Sequence, residues 1–168
     1  DCRSLTSITI LGGVTSIGNT AFKNCSSLTE ITILGGVTSI GYNAFDSCTS
    51  LTSITIPKSV QSIENNAFSG CTALTEVLLE NGSTLTSENL GVDENIIKTY
   101  WNEGNLTWTL DAEGTMTISG SGEMKSYLIP DSPATQKKDS VNKVVIQEGV
   151  TSIGDCAFYN CTGLTSIT

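Results

Sequence analysis

The chain has no histidine among its 168 residues. That absence removes the Ser-His-Asp and Cys-His arrangements of nucleophilic catalysis. There is no Cys-x-x-Cys pair either, so the six cysteines lack both the spacing and the partner expected of a zinc site. Basic residues are scarce: eight Lys and Arg against 17 Asp and Glu give a net charge of -9 with no basic cluster, which argues against nucleic acid as a partner. No apolar run is long enough to cross a membrane, and no signal peptide is present. The chain opens without Met and stops at Thr168 inside a strand-like phrase. It is therefore expected to be a fragment whose export and anchoring signals lie outside it.

What the chain does have is a period of 23 residues. Leu5, Leu28, Leu51 and Leu74 mark one phase, and Ile8, Ile31, Ile54 and Val77 the next. Further columns are Ile10, Ile33, Ile56 and Leu79; Val14, Val37 and Val60; and Ile17, Ile40 and Ile63. The pairs Ala21-Phe22, Ala44-Phe45 and Ala67-Phe68 align, as do Cys2, Cys25, Cys48 and Cys71. The register fails after Leu79, where Gly91 and Glu94 stand at the Phe and Cys positions. It returns at Val141 and continues through Val144, Ile146, Val150, Ile153, Ala157-Phe158, Cys161, Leu164 and Ile167. A period in this range signals a solenoid whose units stack and share a core. A lone unit buries too few apolar side chains to offset the entropy of ordering its backbone, so it cannot fold alone.

Within a unit, Leu-x-x-Ile-x-Ile puts two apolar side chains on one face of an extended segment, which predicts a strand paired in parallel with its copies. Gly12-Gly13, Gly35-Gly36 and Pro57-Lys58 break it. Val-Thr-Ser-Ile-Gly predicts a second short strand. Ala-Phe-x-x-Cys predicts a short helical turn with Phe at the centre of the coil. The fold class expected is thus a mainly β repeat solenoid. Repeats run over residues 1–79 and 141–168, around an insertion at 80–140.

The run L-T-S-I-T-I-P-x-x-V-x-S-I-x-x-x-A-F-x-x-C at residues 51–71 resembles the leucine-rich repeat of BspA-like surface proteins. The resemblance covers residues 2–79 and 141–168. Asn105 to Met124 also resembles a segment that precedes fresh runs of repeats in such proteins. The resemblance implies a right-handed leucine-rich solenoid and a non-catalytic, extracellular, cell-surface protein of the bacterial adhesin type. It implies no cofactor and no catalytic residue. Its partner would be a protein ligand, with host matrix proteins as one class.

The cysteine column allows more than one reading. Copies stacked about 5 Å apart, near the strand spacing, could close a disulfide. The simpler expectation is a ladder of reduced, buried thiols after each Ala-Phe. Cys156 falls outside the column, where other units have Thr20, Asn43 and Asn66; it is expected to be more exposed and open to an intermolecular bridge.

The insertion holds both tryptophans and both methionines but no Cys or Phe, so it is expected to have packing of its own. Leu106, Trp108 and Leu110 alternate, as do Met116 and Ile118, around Asp111-Ala112-Glu113-Gly114, which predicts a β-hairpin over about 105–119. Lys125 to Asn142 reads as a loop. The hairpin either plugs or extends the core, or Tyr100, Trp101 and Trp108 form a platform on which sugars stack. The acids Asp93-Glu94 and Asp111/Glu113 read as solvated turn residues rather than a catalytic pair.

A binding function would lie on the outward positions of the strands: Ser7 and Thr9, Glu30 and Thr32, Ser53 and Thr55, Glu76 and Leu78, Lys143 and Val145. Stacked, they make the extended surface that solenoids use for partners. A protein-binding adhesin module, carbohydrate binding through the insertion aromatics, and a structural stalk are the three functions the sequence allows. Glu30, Leu78 and Lys143 interrupt the Thr column that lattice matching would need.

Overall fold

Parallel pairing at the 23-residue register decides the architecture. In the computed structural model, which describes residues 1–168, the chain divides into two units, Asp1–Lys98 and Thr99–Thr168. In the first unit, each of three turns contributes a longer and a shorter strand. These are β1 (Ser7–Ile10) with β2 (Ser16–Ile17), β3 (Glu30–Ile33) with β4 (Ser39–Ile40), and β5 (Ser53–Ile56) with β6 (Ser62–Ile63). Strand β7 (Glu76–Glu80) opens a fourth turn. The longer strands pair in the order β1-β3-β5-β7 and the shorter in the order β2-β4-β6, all in parallel. Like residues meet: Ile8 faces Ile31, Ile31 faces Ile54, and Ile54 faces Val77. The mainly β repeat solenoid expected from the period is what forms.

Side chains add ladders to the backbone ones. The Thr29 N–H and hydroxyl both donate to the Thr6 carbonyl, each at 2.9 Å, and Thr52 repeats this on Thr29 at 3.0 Å. One carbonyl has two lone pairs, and a Thr after each repeat-opening Leu uses both. The rings of Phe22, Phe45 and Phe68 stack at 5.4 and 5.5 Å with interplanar angles of 3° and 7°.

The Ala-Phe-x-x-Cys segment is a chain of i to i−3 turns, such as Ala21 N–H to the Gly18 carbonyl and Cys25 N–H to the Phe22 carbonyl. It does not lengthen into a helix because positive φ recurs on both sides of the Phe. Thr20, Asn43, Asn66 and Cys156 have φ of 54–61°, and Asn24, Ser47 and Asn160 have 55–60°. Asn tolerates this left-handed region better than other non-glycine residues. Cys156 thus occupies a backbone position, and its side chain is half-buried like those of Cys71 and Cys161 rather than more exposed. The exposed thiol is Cys2.

All six cysteines are free. Cys25 and Cys48 are fully buried. The Cys48 thiol donates to the Phe22 carbonyl and that of Cys71 to the Phe45 carbonyl, both at 3.2 Å. Burial pushes the thiols up, to about 11 for Cys48 and about 12 for Cys71. Both are therefore protonated donors at neutral pH, with little thiolate for exchange or metal binding.

The aligned apolar positions are fully buried in the second and third turns, from Leu28 to Ile56. Val14 is 40% exposed, and Ile153 and Ile167 are 57% and 48% exposed. These three were expected in the core, and in this structure they are exposed.

The boundary expected at 79/80 is not where the chain divides. Residues 80–98 finish the first unit. Leu85 and Leu90 enter its core, with Val92, Ile96 and Ile97 packed against it. Helix α1 (Ser87–Leu90) is capped by Thr86, whose hydroxyl accepts from the Asn89 N–H, and ends at Gly91 with φ 66°. A 3-10 turn follows at Glu94–Ile96.

The second unit contains the expected hairpin, β9 (Leu106–Leu110) and β10 (Thr115–Gly120), antiparallel. The division falls inside β8 (Ile97–Glu103), whose residues 99–103 pair antiparallel with β9. The two-residue turn Gly104-Asn105 joins them, with Gly104 at φ 63°. After β10 come β11 (Gly122–Glu123), helix α2 (Pro133–Gln136) inside the expected loop, β12 (Lys143–Ile146), β13 (Val150–Ser152) and β14 (Ser166–Ile167).

The insertion does not pack by itself. Strand β10 pairs in parallel with β12, placing Met116 beside Val144 and Ile118 beside Ile146, and β11 pairs with β13. The Ser132 hydroxyl donates to the Ala157 carbonyl, the bond that the Phe22 N–H makes to the Ala44 carbonyl in the first unit. Residues 115–136 thus act as an irregular repeat. Trp108, fully buried, sits 5.9 Å from Phe158 and 6.1 Å from Tyr127. The hairpin extends the core of the repeat that follows it.

Two measurements check this packing. Phe45→Ala, which removes the middle ring of the stack, and Trp108→Ala should each cost about 3–5 kcal/mol; a chemical-denaturation midpoint unchanged in either would place that ring outside the core. Thiol labelling of the unfolded, non-reduced chain should count six free thiols, and each disulfide would lower that count by two.

Candidate functional site

In a parallel strand, alternate residues share a face, and the in-register pairing turns the candidate positions into two columns. Ser7 pairs with Glu30, Glu30 with Ser53, and Ser53 with Glu76. Beside them run Thr9, Thr32, Thr55 and Leu78. The structure therefore brings eight of the candidate face residues together on one sheet face of the first unit. Ser7, Thr9 and Glu30 are exposed; Thr32, Ser53, Thr55, Glu76 and Leu78 are half-buried by their own neighbours.

Charge on this face is partly compensated. Lys98 Nζ lies 2.7 Å from Glu76 Oε1, which leaves Glu30 as the anion without an ion pair. Cross-repeat pairs elsewhere in the unit, Lys23 with Asp46 at 2.7 Å and Lys58 with Glu80 at 3.1 Å, are surface contacts of small energetic weight.

Lys143 and Val145 lie on β12 in the second unit, in register with Thr115 and Thr117 of β10. Thr117 in turn pairs with Thr109, and Ser119 with Thr107. These five hydroxyl residues of the hairpin belong to the same face as Lys143 and Val145 and were missed. The signal was present in the alternation of Thr with Leu, Trp, Met and Ile, but it was read for its apolar half alone.

The sugar-stacking platform does not form. Tyr100, Trp101 and Trp108 have exposures of 7%, 8% and 0%. Trp101 pairs with Trp108 on the inner face, whereas Tyr100 pairs with Thr109 on the opposite one, because successive strand residues point to opposite sides. A ring enclosed on both faces has none to offer a sugar. The Trp101 Nε1–H donates to Gln136 Oε1 at 3.3 Å, a bond that serves packing of α2.

The acidic pairs hold backbone. Asp93 Oδ1 accepts from the Asn95 N–H at 2.9 Å and Asp111 Oδ1 from the Thr115 N–H at 2.7 Å, each closing a turn. Glu103 is a half-buried charge of the second unit. It accepts from the Tyr127 hydroxyl and lies 2.9 Å from Lys125 Nζ, which stands 5.0 Å above the Tyr127 ring. Burial, and then the Glu103 bond, raise the Tyr127 hydroxyl above its ordinary value. No group of three or more His, Cys, Asp or Glu is gathered in a way that could hold a metal ion. No helix is long and apolar enough to cross a membrane.

Among solved structures, the chain is similar to a leucine-rich repeat protein of T. pallidum at 20% identity and a TM-score of 0.42, covering 96% of this chain and 57% of that one. It is similar to a leucine-rich cell surface protein of Faecalibacterium prausnitzii at 23% identity and 0.34, covering 97% and 60%. The pneumococcal vaccine antigen PcpA is similar at 22% identity and 0.43, covering 98% and 39%. The chain thus spans less than two thirds of the length of each. No curated protein matches it. A family model described as the BspA type leucine rich repeat region matches six copies over residues 1–103 and 132–168, and the chain belongs to that family.

Proposed function

We propose that this chain is a non-catalytic, cell-surface interaction module of the adhesin type, which binds a protein ligand on the outward face of β1, β3, β5 and β7. The observation that carries the reading is the pair of in-register columns from Ser7 to Glu76 and from Thr9 to Leu78. Short hydroxyl side chains leave the strand surface flat, and the unpaired Glu30 gives it a negative centre. Host matrix proteins, the class that the family resemblance implies, are the ligands to try first.

Magnitude limits the claim. Four strands of four or five residues present roughly 250 Å² of sheet face, whereas a standard interface covers roughly 800 Å² per partner. The columns therefore supply about a third of such a footprint, and the flanking turns supply the remainder. Burial of Tyr100, Trp101 and Trp108 leaves carbohydrate binding without a stacking surface. A purely structural stalk is the outcome if no ligand is found.

The decisive comparison is a Glu30→Lys, Thr32→Arg, Thr55→Arg variant against the parent chain, assayed for attachment to a panel of matrix proteins and a glycan array after circular dichroism has shown both folded. Attachment to a matrix protein should fall at least about tenfold, the effect of losing roughly 1.4 kcal/mol. Attachment unchanged by all three substitutions would remove the face from the function.

A further inference from the structure

The second unit carries an aromatic ring that its repeat does not use. Tyr159 follows Phe158, at the column where the first unit has Lys23, Asp46 and Ser69. Those three are polar and stand outside the first core. Tyr159 likewise lies outside the core of its own unit, with 50% of its surface exposed. Unlike Tyr100, Trp101 and Trp108, it has ring surface free for a ligand.

The ring borders an open cleft of about 430 Å³, whose other apolar wall is Ile129 and Pro130. That volume lies within the range of small-molecule sites. Ile129 is itself 54% exposed, so the wall is available from solvent.

Most polar groups around the cleft are already committed. The Thr135 hydroxyl donates to the Pro130 carbonyl at 2.6 Å. Gln136 Nε2 donates to the Asp131 carbonyl at 3.0 Å, and its Oε1 accepts from the Trp101 indole at 3.3 Å. These bonds close the wall on itself and leave a ligand chiefly apolar contact. Charge comes from Lys138 alone among the lining residues. Its ion pair with Asp139 spans 4.0 Å between two side chains that are well exposed, so it is weak. A chain of net charge -9 repels anions in general, and an anion held in this cleft owes its place to that ammonium.

We propose that this cleft binds a small carboxylate with an aromatic body. The body packs between the Tyr159 ring and the Ile129-Pro130 wall, and the carboxylate pairs with Lys138 Nζ. A bare phosphate or sulfate has no body to cover the apolar wall. A neutral sugar would meet Thr135 and Gln136 with their polar groups already bonded. An aromatic body also gains the offset or edge contact that two rings prefer.

The test is amide NMR on the 168-residue chain, titrated with phenylbutyrate, phenylbutanol and butyrate. Phenylbutyrate should shift the Lys138, Tyr159 and Asn160 amide resonances saturably, with a dissociation constant in the millimolar range expected of about a dozen heavy atoms in an open cleft. Phenylbutanol, which keeps the ring but lacks the charge, should bind about two- to fivefold more weakly, and added NaCl should narrow that gap. Butyrate, which lacks the ring, should give no saturable shift. Lys138→Met removes the ammonium and keeps the stem, and should lower phenylbutyrate binding to the level of phenylbutanol. Tyr159→Ser installs the residue found at this column in the third turn and should weaken binding at least about threefold. Neither side chain belongs to the core, so both variants keep the fold, which the remaining resonances report. The triple strand-face variant should bind phenylbutyrate like the parent, which separates this site from the face. Absence of saturable shifts, equal binding of phenylbutyrate and phenylbutanol, or full binding by either folded variant would overturn the proposal. So would shifts of these amides with chain concentration alone, which would assign the cleft to a second copy, and tighter binding of neutral acetyl-Phe-Ala-amide, which would assign it to a segment of another protein.

Discussion

Everything in this chain depends on satisfying each turn's backbone and apolar face with the turn 23 residues away. The strands pair along the stacking axis, and the tight turns leave further N–H groups, such as those of Phe22 and Asn24, to be paired with the next turn. Buried backbone groups must be paired, so a turn is stable only as part of a stack. The Thr6–Thr29–Thr52 bonds, the Phe22–Phe45–Phe68 rings and the thiol bonds of Cys48 and Cys71 are one solution repeated. Each residue type suits a fixed neighbour at a fixed separation, and that is why the repeat tolerates little variation in its spacing.

The second unit shows which parts of that solution are replaceable. Its hairpin reaches the repeat register by another route, an antiparallel turn at Asp111–Gly114 that delivers β10 alongside β12. Trp108 occupies the centre of its core against Phe158, and a Ser132 hydroxyl takes over a bond that a backbone amide makes in the first unit. The geometry to be met is the pairing of strands and the filling of the coil. The residues that meet it need not come from the repeat motif.

Much of this was legible. A β-sheet has a side-chain period of two, so an odd-numbered insertion within a strand would put the apolar residues that follow it on the wrong face. Fixed spacing over several copies therefore identifies strands, their parallel pairing and their inward residues, from Ile31 and Ile33 to Ile54 and Ile56. The Gly104-Asn105 hairpin turn was legible too, by the same rule that exposed the 105–119 hairpin, but its flanking strand residues Ile97 to Glu103 do not alternate cleanly. Tyr100 and Trp101 are both buried although they point to opposite faces, and the nearness of Tyr100, Trp101 and Trp108 in the sequence suggested a platform that the strand's alternation forbids.

The sequence by itself determined the repeat length, the register and the identity of the inward columns, because these follow from local periodicity and from the need of each unit for its neighbour. Tertiary structure alone decided where the register is carried by residues outside the motif, that Leu85 and Leu90 close the first unit, and that the rings of Tyr100, Trp101 and Trp108 are enclosed. Those outcomes depend on contacts between residues with no fixed spacing, so no period announces them. The exposure of a ring and the pairing of an N–H are properties of what the rest of the chain leaves uncovered.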